Sequence, residues 1–313
     1  MRTHYLKMML RMLVKQKLYT ILSILSLAIG LAFCFIGFGH ANYEFSYDRF
    51  HKHADRIYSI NHKVDSKDHW GSRHGVPALV ARSLVHEIPE VEKAATFRAF
   101  RFVTVMPDSK KIESQKMFCA NPEFLQVFSF PLLKGDIENV LTEPFSVLLT
   151  KKSASAFFPG QDPMGQFLKI RMPVLERAEN GRPKQTKRQV SLQVRGVLED
   201  FPENSQFKCD LIASYSTLEN LELTGTTWEP NGQDNCYLLL NKNAQAIVVE
   251  QKLNKLSKKN FPKVDFKVNR FFLQPLSKIY MHGNSWFAER GEFKLVVTFM
   301  LVALAILIAA VTN

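Results

Sequence analysis

What this sequence lacks narrows its function quickly. It has four cysteines in 313 residues and no C-x-x-C pair, which removes a redox dithiol and a thiolate zinc site of the usual spacing. It contains no G-x-S-x-G elbow, no H-E-x-x-H helix and no Rossmann glycine fingerprint. Hydrolase, zinc-protease and dinucleotide chemistry therefore have no anchor, and no cofactor is expected. Gly160 to Gly165 has the glycine spacing of a phosphate loop, but Gln166 and Phe167 stand where a lysine and a hydroxyl residue should be. Nothing there would hold a γ-phosphate or Mg²⁺, so an enzyme is not expected. Charge is lacking too: residues 18–38 and 295–313 contain no Lys, Arg, Asp or Glu.

Each of those runs is long enough to cross a bilayer, because ~20 residues rising ~1.5 Å each cover a ~30 Å hydrocarbon core. The mean hydropathy of -0.11 averages two apolar runs and a polar middle. Before the first run, Arg2, Lys7, Arg11, Lys15 and Lys17 occur with no acid. That asymmetry marks a cytoplasmic end and suits anionic headgroups better than nucleic acid. The expected order is a cytoplasmic amphipathic helix over 1–17, a span over 18–38, an outside domain over 39–294 and a second span over 295–313. Lys7, Arg11, Lys15 and Lys17 form the basic face of the first helix, open to the membrane interface or a cytoplasmic partner. The first run is longer than the ~7 to 15 apolar residues of a cleaved signal, so it is expected to remain.

Within the spans the informative residues are small. Ser26, Gly30 and Cys34 recur every four residues, as do Ala305 and Ala309. Small residues at that spacing let helices approach closely in lipid, so Ser26, Gly30, Ala305 and Ala309 are the expected packing positions. Neither span carries an ionisable side chain for an ion path.

Between the spans the periodicity switches between strand and helix, the pattern of an α+β domain. Residues 56–64, 77–88 and 91–100 read as strand, helix and strand. Residues 236–240, 246–259 and 264–273 repeat that order, so the two units suggest a split βαβ lobe. Residues 103–106 and 111–119 suggest a hairpin, and 167–172 and 190–197 suggest strands around a polar loop at 176–189, open to a partner. Thr150 is a candidate cap for a helix over 151–158, stopped by Pro159-Gly160. These readings give two lobes, one at about 43–115 with 225–290 and an inserted strand-rich one at about 116–224. His51, His53, His62, His69 and His74 crowd together without the spacing of one metal site, so they read as surface histidines. Cys119, Cys209 and Cys236 read as small buried side chains.

Several short runs carry a resemblance. They are Phe45-Ser46-Tyr47-Asp48-Arg49-Phe50-His51 with Ala54-Asp55-Arg56-Ile57-Tyr58, Asn121-Pro122-Glu123-Phe124, and Phe128-Ser129-Phe130-Pro131-Leu132-Leu133-Lys134-Gly135-Asp136. Pro159-Gly160-Gln161-Asp162-Pro163-Met164-Gly165, Gly196-Val197-Leu198-Glu199-Asp200-Phe201-Pro202-Glu203-Asn204-Ser205 and Leu273-Gln274-Pro275-Leu276 follow in order. In this the chain resembles MacB-type, FtsX-like ABC transporter permeases along its whole length. The resemblance implies an inner-membrane subunit with a periplasmic core domain, in which a porter-like lobe is split by an inserted lobe. It implies a cytoplasmic ABC ATPase as partner, a second permease half or a homodimer mate, and a periplasmic adaptor. It also implies mechanotransmission, in which ATP hydrolysis moves the spans and the spans move the outside domain to export or extract a lipoprotein, peptide or antibiotic. Such permeases have at least four spans, so the chain reads as an N-terminal portion of one. A two-span sensor or scaffold with a ligand-binding outside domain is the competing expectation.

Overall fold

The computed structural model describes residues 15–66, 69–74, 76, 78–107, 111–177, 183–224, 234–260, 269–282 and 290–312. The chain divides into two compact units, Met1–Tyr47 with Gly291–Asn313, and Asp48–Arg290. The first is a pair of helices, α1 (Lys17–Phe45) and α8 (Phe293–Thr312). Both are long and apolar enough to cross a membrane. At ~1.5 Å per residue α8 matches a ~30 Å core, and α1 exceeds it. Helix α1 runs past the apolar stretch 18–38 because nothing between Gly39 and Phe45 breaks it. It ends where the backbone N–H and Oγ of Ser46 both donate to the Tyr43 carbonyl.

The second unit is built on one sheet, 11-stranded among the described residues. Its first part contains β1 (Ile57–Ser66), its hairpin partner β2 (His69–His74), helix α2 (Ala78–Glu87) and β3 (Val91–Met106). Far along the chain, β10 (Asn235–Leu240), α6 (Ala246–Asn260) and β11 (Asn269–Pro275) complete it. The order is β11-β1-β10-β3 with every neighbour antiparallel. Strands β1 and β3 are therefore parallel with β10 between them, and β10 and β11 parallel with β1 between them: two interlocked split βαβ units. Helices α2 and α6 cover one face, burying Leu84, Ile88, Val249 and Leu253 against Ile60, Ala94 and Leu238.

The sheet continues through β4 (Ile112–Ala120), β9 (Leu211–Ser214), β6 (Ser146–Thr150), β8 (Pro183–Leu198) and β5 (Leu132–Lys134), and β7 (Phe167–Arg177) pairs with β3 and β8. Thus β4 carries the sheet across residue 115 without a break, and the change there is in the core. Val103, Ile170, Leu192 and Leu211 pack with Phe157 of α4 (Lys151–Phe157) and Leu218 of α5 (Tyr215–Asn220). Helix α4 starts where the sequence marks it, with Thr150 Oγ1 accepting the Ser153 N–H, a cap worth about 1 kcal/mol.

Two expectations change in the structure. The polar stretch 176–189 is mostly strand, because β7 and β8 stay paired out to Arg177 and Pro183. Backbone ladder bonds need no apolar side chain, and a strand with one solvated face tolerates alternating Lys and Gln. His51 and His62 are buried, 3% exposed each, rather than at the surface. Stacking explains both, since His62 lies 5.0 Å from the Phe271 ring and His51 sits among phenylalanines. Residues 264–268 of the last expected strand lie outside the described residues. The four cysteines are free and buried, which is the burial expected for Cys119, Cys209 and Cys236.

One buried ion pair joins distant parts of the sheet. Arg98 on β3 donates from Nε and Nη2 to both carboxylate oxygens of Asp234, at 2.8 and 3.0 Å, and from Nη1 to the Leu223 carbonyl at 2.7 Å. The Asp234 carboxylate outweighs burial and raises the Arg98 pKa further. Removing one partner strands a charge in the core. Asp234→Leu is expected to destabilise the folded chain by about 3–5 kcal/mol, and Arg98→Met/Asp234→Leu by clearly less. Thermal unfolding followed by circular dichroism checks this, and a double variant less stable than Asp234→Leu contradicts it.

Candidate functional site

The helix pair meets through its smallest side chains. On α1 the buried residues are Gly30, Cys34, Gly37 and Ala41, and on α8 they are Val296 and Ala303. A Cβ added at Gly30 would lie 3.2 Å from Ala310 Cβ and 3.3 Å from Leu307 Cα, and one at Gly37 would lie 3.3 Å from Ala303 Cβ. The Cys34 thiol donates to the Ala303 carbonyl at 3.4 Å. His40 and Phe299 meet edge-on farther along.

The residues named from sequence distribute unevenly. Gly30 lies in this contact, and Ser26 is half-buried with its Oγ turned back to the Ser23 carbonyl. Ala305 and Ala309 are exposed; Ala303, Leu307 and Ala310 are among the residues of α8 that meet α1. Lys15 and Lys17 are exposed, and Lys7 and Arg11 lie outside the described residues. Gly37, Ala41 and Ala303 were missed by a strict four-residue repeat. The 4-3-4 spacing of Gly30, Cys34, Gly37 and Ala41, the stripe of a helix face, would have found the first two.

Most of the sequence runs behind the resemblance, though not 159–165, meet in the Asp48–Arg290 unit. Phe124, Phe128, Phe130, Phe207 and Leu276 share one core with Phe97, Phe118 and Tyr237, and Phe201 packs on its edge. Against that core lies Asp48, 1% exposed. Its carboxylate accepts the Ser205 hydroxyl at 3.0 Å and the Gln206 N–H at 3.2 Å, while its own N–H donates to the Asn204 carbonyl at 3.0 Å. His51 Nδ1 accepts the Ser129 N–H at 3.1 Å, and its Nε2 lies 3.8 Å from Asp48 Oδ1. Burial raises the Asp48 pKa to about 7 against the pull of those hydrogen bonds, and lowers that of His51 to about 4.

The other candidate reactive groups among the described residues are tied into the fold. Burial pushes the thiols of Cys119 and Cys236 up to about 12 and that of Cys209 well above its usual value, so they are not nucleophiles. Among the described residues no group of His, Cys, Asp or Glu could hold a metal ion. The Gly160–Gly165 turn uses its amides on the fold, with Gly165 N–H donating to the Val194 carbonyl and Gln161 N–H to that of Phe158. Asp162 pairs there with Lys134 at 3.0 Å.

If the helices meet as described, Gly37→Cys with Ala303→Cys, in a Cys34→Ser background, is expected to oxidise to a disulfide, since the Cβ separation is near the ~3.5–4.5 Å such bonds use. Gly39→Cys, which has nothing within 4 Å, is expected to stay reduced with the same partner. Gel mobility after proteolysis between the spans reads the outcome, and equal cross-linking of both pairs contradicts the contact.

Comparison with known proteins follows the same lines. The family model of the MacB-like periplasmic core domain matches residues 20–256. Among solved structures, a domain of a putative permease protein from Porphyromonas gingivalis is 22% identical, over 72% of this chain and 92% of that one, with a TM-score of 0.56. The periplasmic region of MacB from Actinobacillus actinomycetemcomitans is 18% identical over 72% and 91%, with a TM-score of 0.48. The extracellular domain of the noncanonic ABC-type transporter YknZ from Gram-positive bacteria is 11% identical over 70% and 99%, with a TM-score of 0.47. No curated protein sequence matches. With a split α+β domain bracketed by two apolar helices, and a family match over most of its length, this chain belongs to the MacB-like periplasmic core domain family.

Proposed function

We propose that the chain is a permease portion of an ABC-type exporter in the inner membrane, multi-pass in its full form, with residues between the spans in the periplasm. The observation that carries this reading is the family match to a periplasmic core domain that runs from inside the first apolar helix. In this reading a separate cytoplasmic ABC ATPase hydrolyses ATP and the chain itself catalyses nothing. The spans pass the motion outward, and the domain expels or extracts a lipoprotein, peptide, antibiotic or similar substrate. A second permease half or homodimer mate, and a periplasmic adaptor, complete the assembly.

Mechanotransmission asks the spans to move as stiff units, which needs close contact rather than loose immersion in lipid. The tight approach at Gly30 supports that requirement, because its Cβ space is already filled by Ala310 and Leu307. Exposed Lys15 and Lys17 offer the cytoplasmic end of α1 to headgroups or to the ATPase.

In the full-length protein with its ATPase, Gly30→Leu is expected to insert normally, since leucine is favourable in a span. It should keep ATP hydrolysis within about twofold while export falls by about tenfold or more, the scale of ~1.4 kcal/mol of lost coupling. Export and hydrolysis measured in one preparation decide. Unchanged export contradicts the reading, and failure of any ATPase to co-purify with the full-length protein favours a two-span sensor.

A further inference from the structure

Asp48 is a buried carboxyl group, and among the described residues no Lys or Arg pairs with it. Its partners are the Ser205 hydroxyl and the Gln206 N–H, and Phe207 N–H closes the turn by donating to Ser205 Oγ at 3.1 Å. From β10 the group facing it is the Tyr237 phenol, itself buried and raised in pKa by burial and by Asp48. From its own segment it is His51, whose ring lies 5.2 Å from Phe128, 5.0 Å from Phe130 and 6.3 Å from Phe207. The segment around Ser129 brings only hydroxyl and backbone groups. Of the basic residues near it in sequence, Arg49 and Lys52 are exposed, Arg56 is on Glu92 and the Leu240 carbonyl, and Lys208 is on Glu203. A carboxylate in such surroundings lacks the compensating charge that burial demands.

We propose that Asp48 and His51 form a one-proton site that fastens residues 202–207 to the first residues of the Asp48–Arg290 unit, and that release of this segment is linked to loss of the proton. The proton sits on the carboxyl. Because His51 Nδ1 accepts the Ser129 N–H, the neutral imidazole carries its hydrogen on Nε2, on the side of Asp48 Oδ1. The imidazole stays neutral because aromatic rings surround it. Ionising Asp48 in place leaves a buried anion, which opening of residues 202–207 relieves by admitting water. The inference goes beyond the transport reading and holds whatever the chain carries.

The sign follows from linkage. Asp48 binds its proton more tightly folded than open, so the closed segment is most secure at low pH and loosens as pH rises from about 4 to about 7. His51 binds its proton less tightly folded, so its contribution rises from about pH 4 to 6.5. Local opening that leaves His51 among its rings feels Asp48 alone, whereas global unfolding feels both, and the two oppose.

Hydrogen–deuterium exchange on the full chain in detergent tests this at the amides of Gln206 and Phe207. After correction for intrinsic exchange, opening is expected to increase about 50-fold between pH 5 and pH 7, about ninefold over the first unit and about fivefold over the second. Asp48→Asn, which keeps an acceptor but cannot ionise, is expected to abolish that dependence. Its melting temperature should rise from pH 4.5 to 6.5, where the wild type stays nearly level. Ser205→Ala removes a bond that favours the ionised form and should move the levelling-off above pH 7. An identical pH course in wild type and Asp48→Asn overturns the proposal. If Asp48→Asn does not fold, an unmoved levelling-off in Ser205→Ala overturns it.

Discussion

Two apolar helices in lipid gain nothing from hiding apolar surface from each other, because the lipid tails around them are as apolar as leucine. Whatever holds α1 against α8 must come from close van der Waals contact and the few polar groups that can reach across. Gly30 and Gly37 supply the first by leaving room for Ala310 and Ala303, and the Cys34 thiol supplies the second at the Ala303 carbonyl. The exposed residues of both helices, Phe35, Ile36, Leu301 and Val311 among them, are suited to lipid rather than to each other. A leucine-faced pair would meet only side chain to side chain, farther apart and with less specificity.

The Asp48–Arg290 unit solves a different problem. Its sheet must link a split βαβ arrangement, which needs strands from both ends of the unit, with a strand-rich part encoded between them. Strand β3 does so by pairing with β10 at its start and with β4 and β7 farther on. One aromatic cluster then gathers the first residues after α1, the 124–130 segment and the 201–207 segment over β3, β4 and β10. Each large ring buried there removes much apolar area from water. The same density excludes water from Asp48 and His51, which is why two ordinary titratable groups have displaced pKa values.

The sequence was most readable where one physical rule governed. Apolar length revealed the spans, strand-type periodicity revealed β1, a compact apolar run revealed β10, and Thr150 marked the start of α4. Readings failed where a second rule competed. The polar stretch 176–189 looked like a loop because composition was weighed over backbone pairing, yet β7 and β8 continue through most of it. His51 and His62 looked solvent-facing because their chemistry is polar, but an imidazole with a satisfied nitrogen or a ring to stack on can be buried. Ala305 and Ala309 are exposed on α8 rather than set against α1, since a four-residue repeat does not say which of several small residues meets a given partner. The Asp48–Ser205 contact joins positions far apart in sequence and was legible only as two runs shared with a family.

The proposed function requires one arrangement: a folded domain outside the inner membrane, tethered at both ends by spans. Thiol labelling in intact cells tests it most directly, because the four native cysteines are buried. Single cysteines at Ser155, exposed on α4, and at Lys15, exposed before α1, are treated with a reagent that cannot cross the inner membrane. The account predicts that the Ser155→Cys protein is labelled at once and the Lys15→Cys protein only after the membrane is permeabilised. Labelling of Lys15→Cys in intact cells, with Ser155→Cys protected, would contradict it.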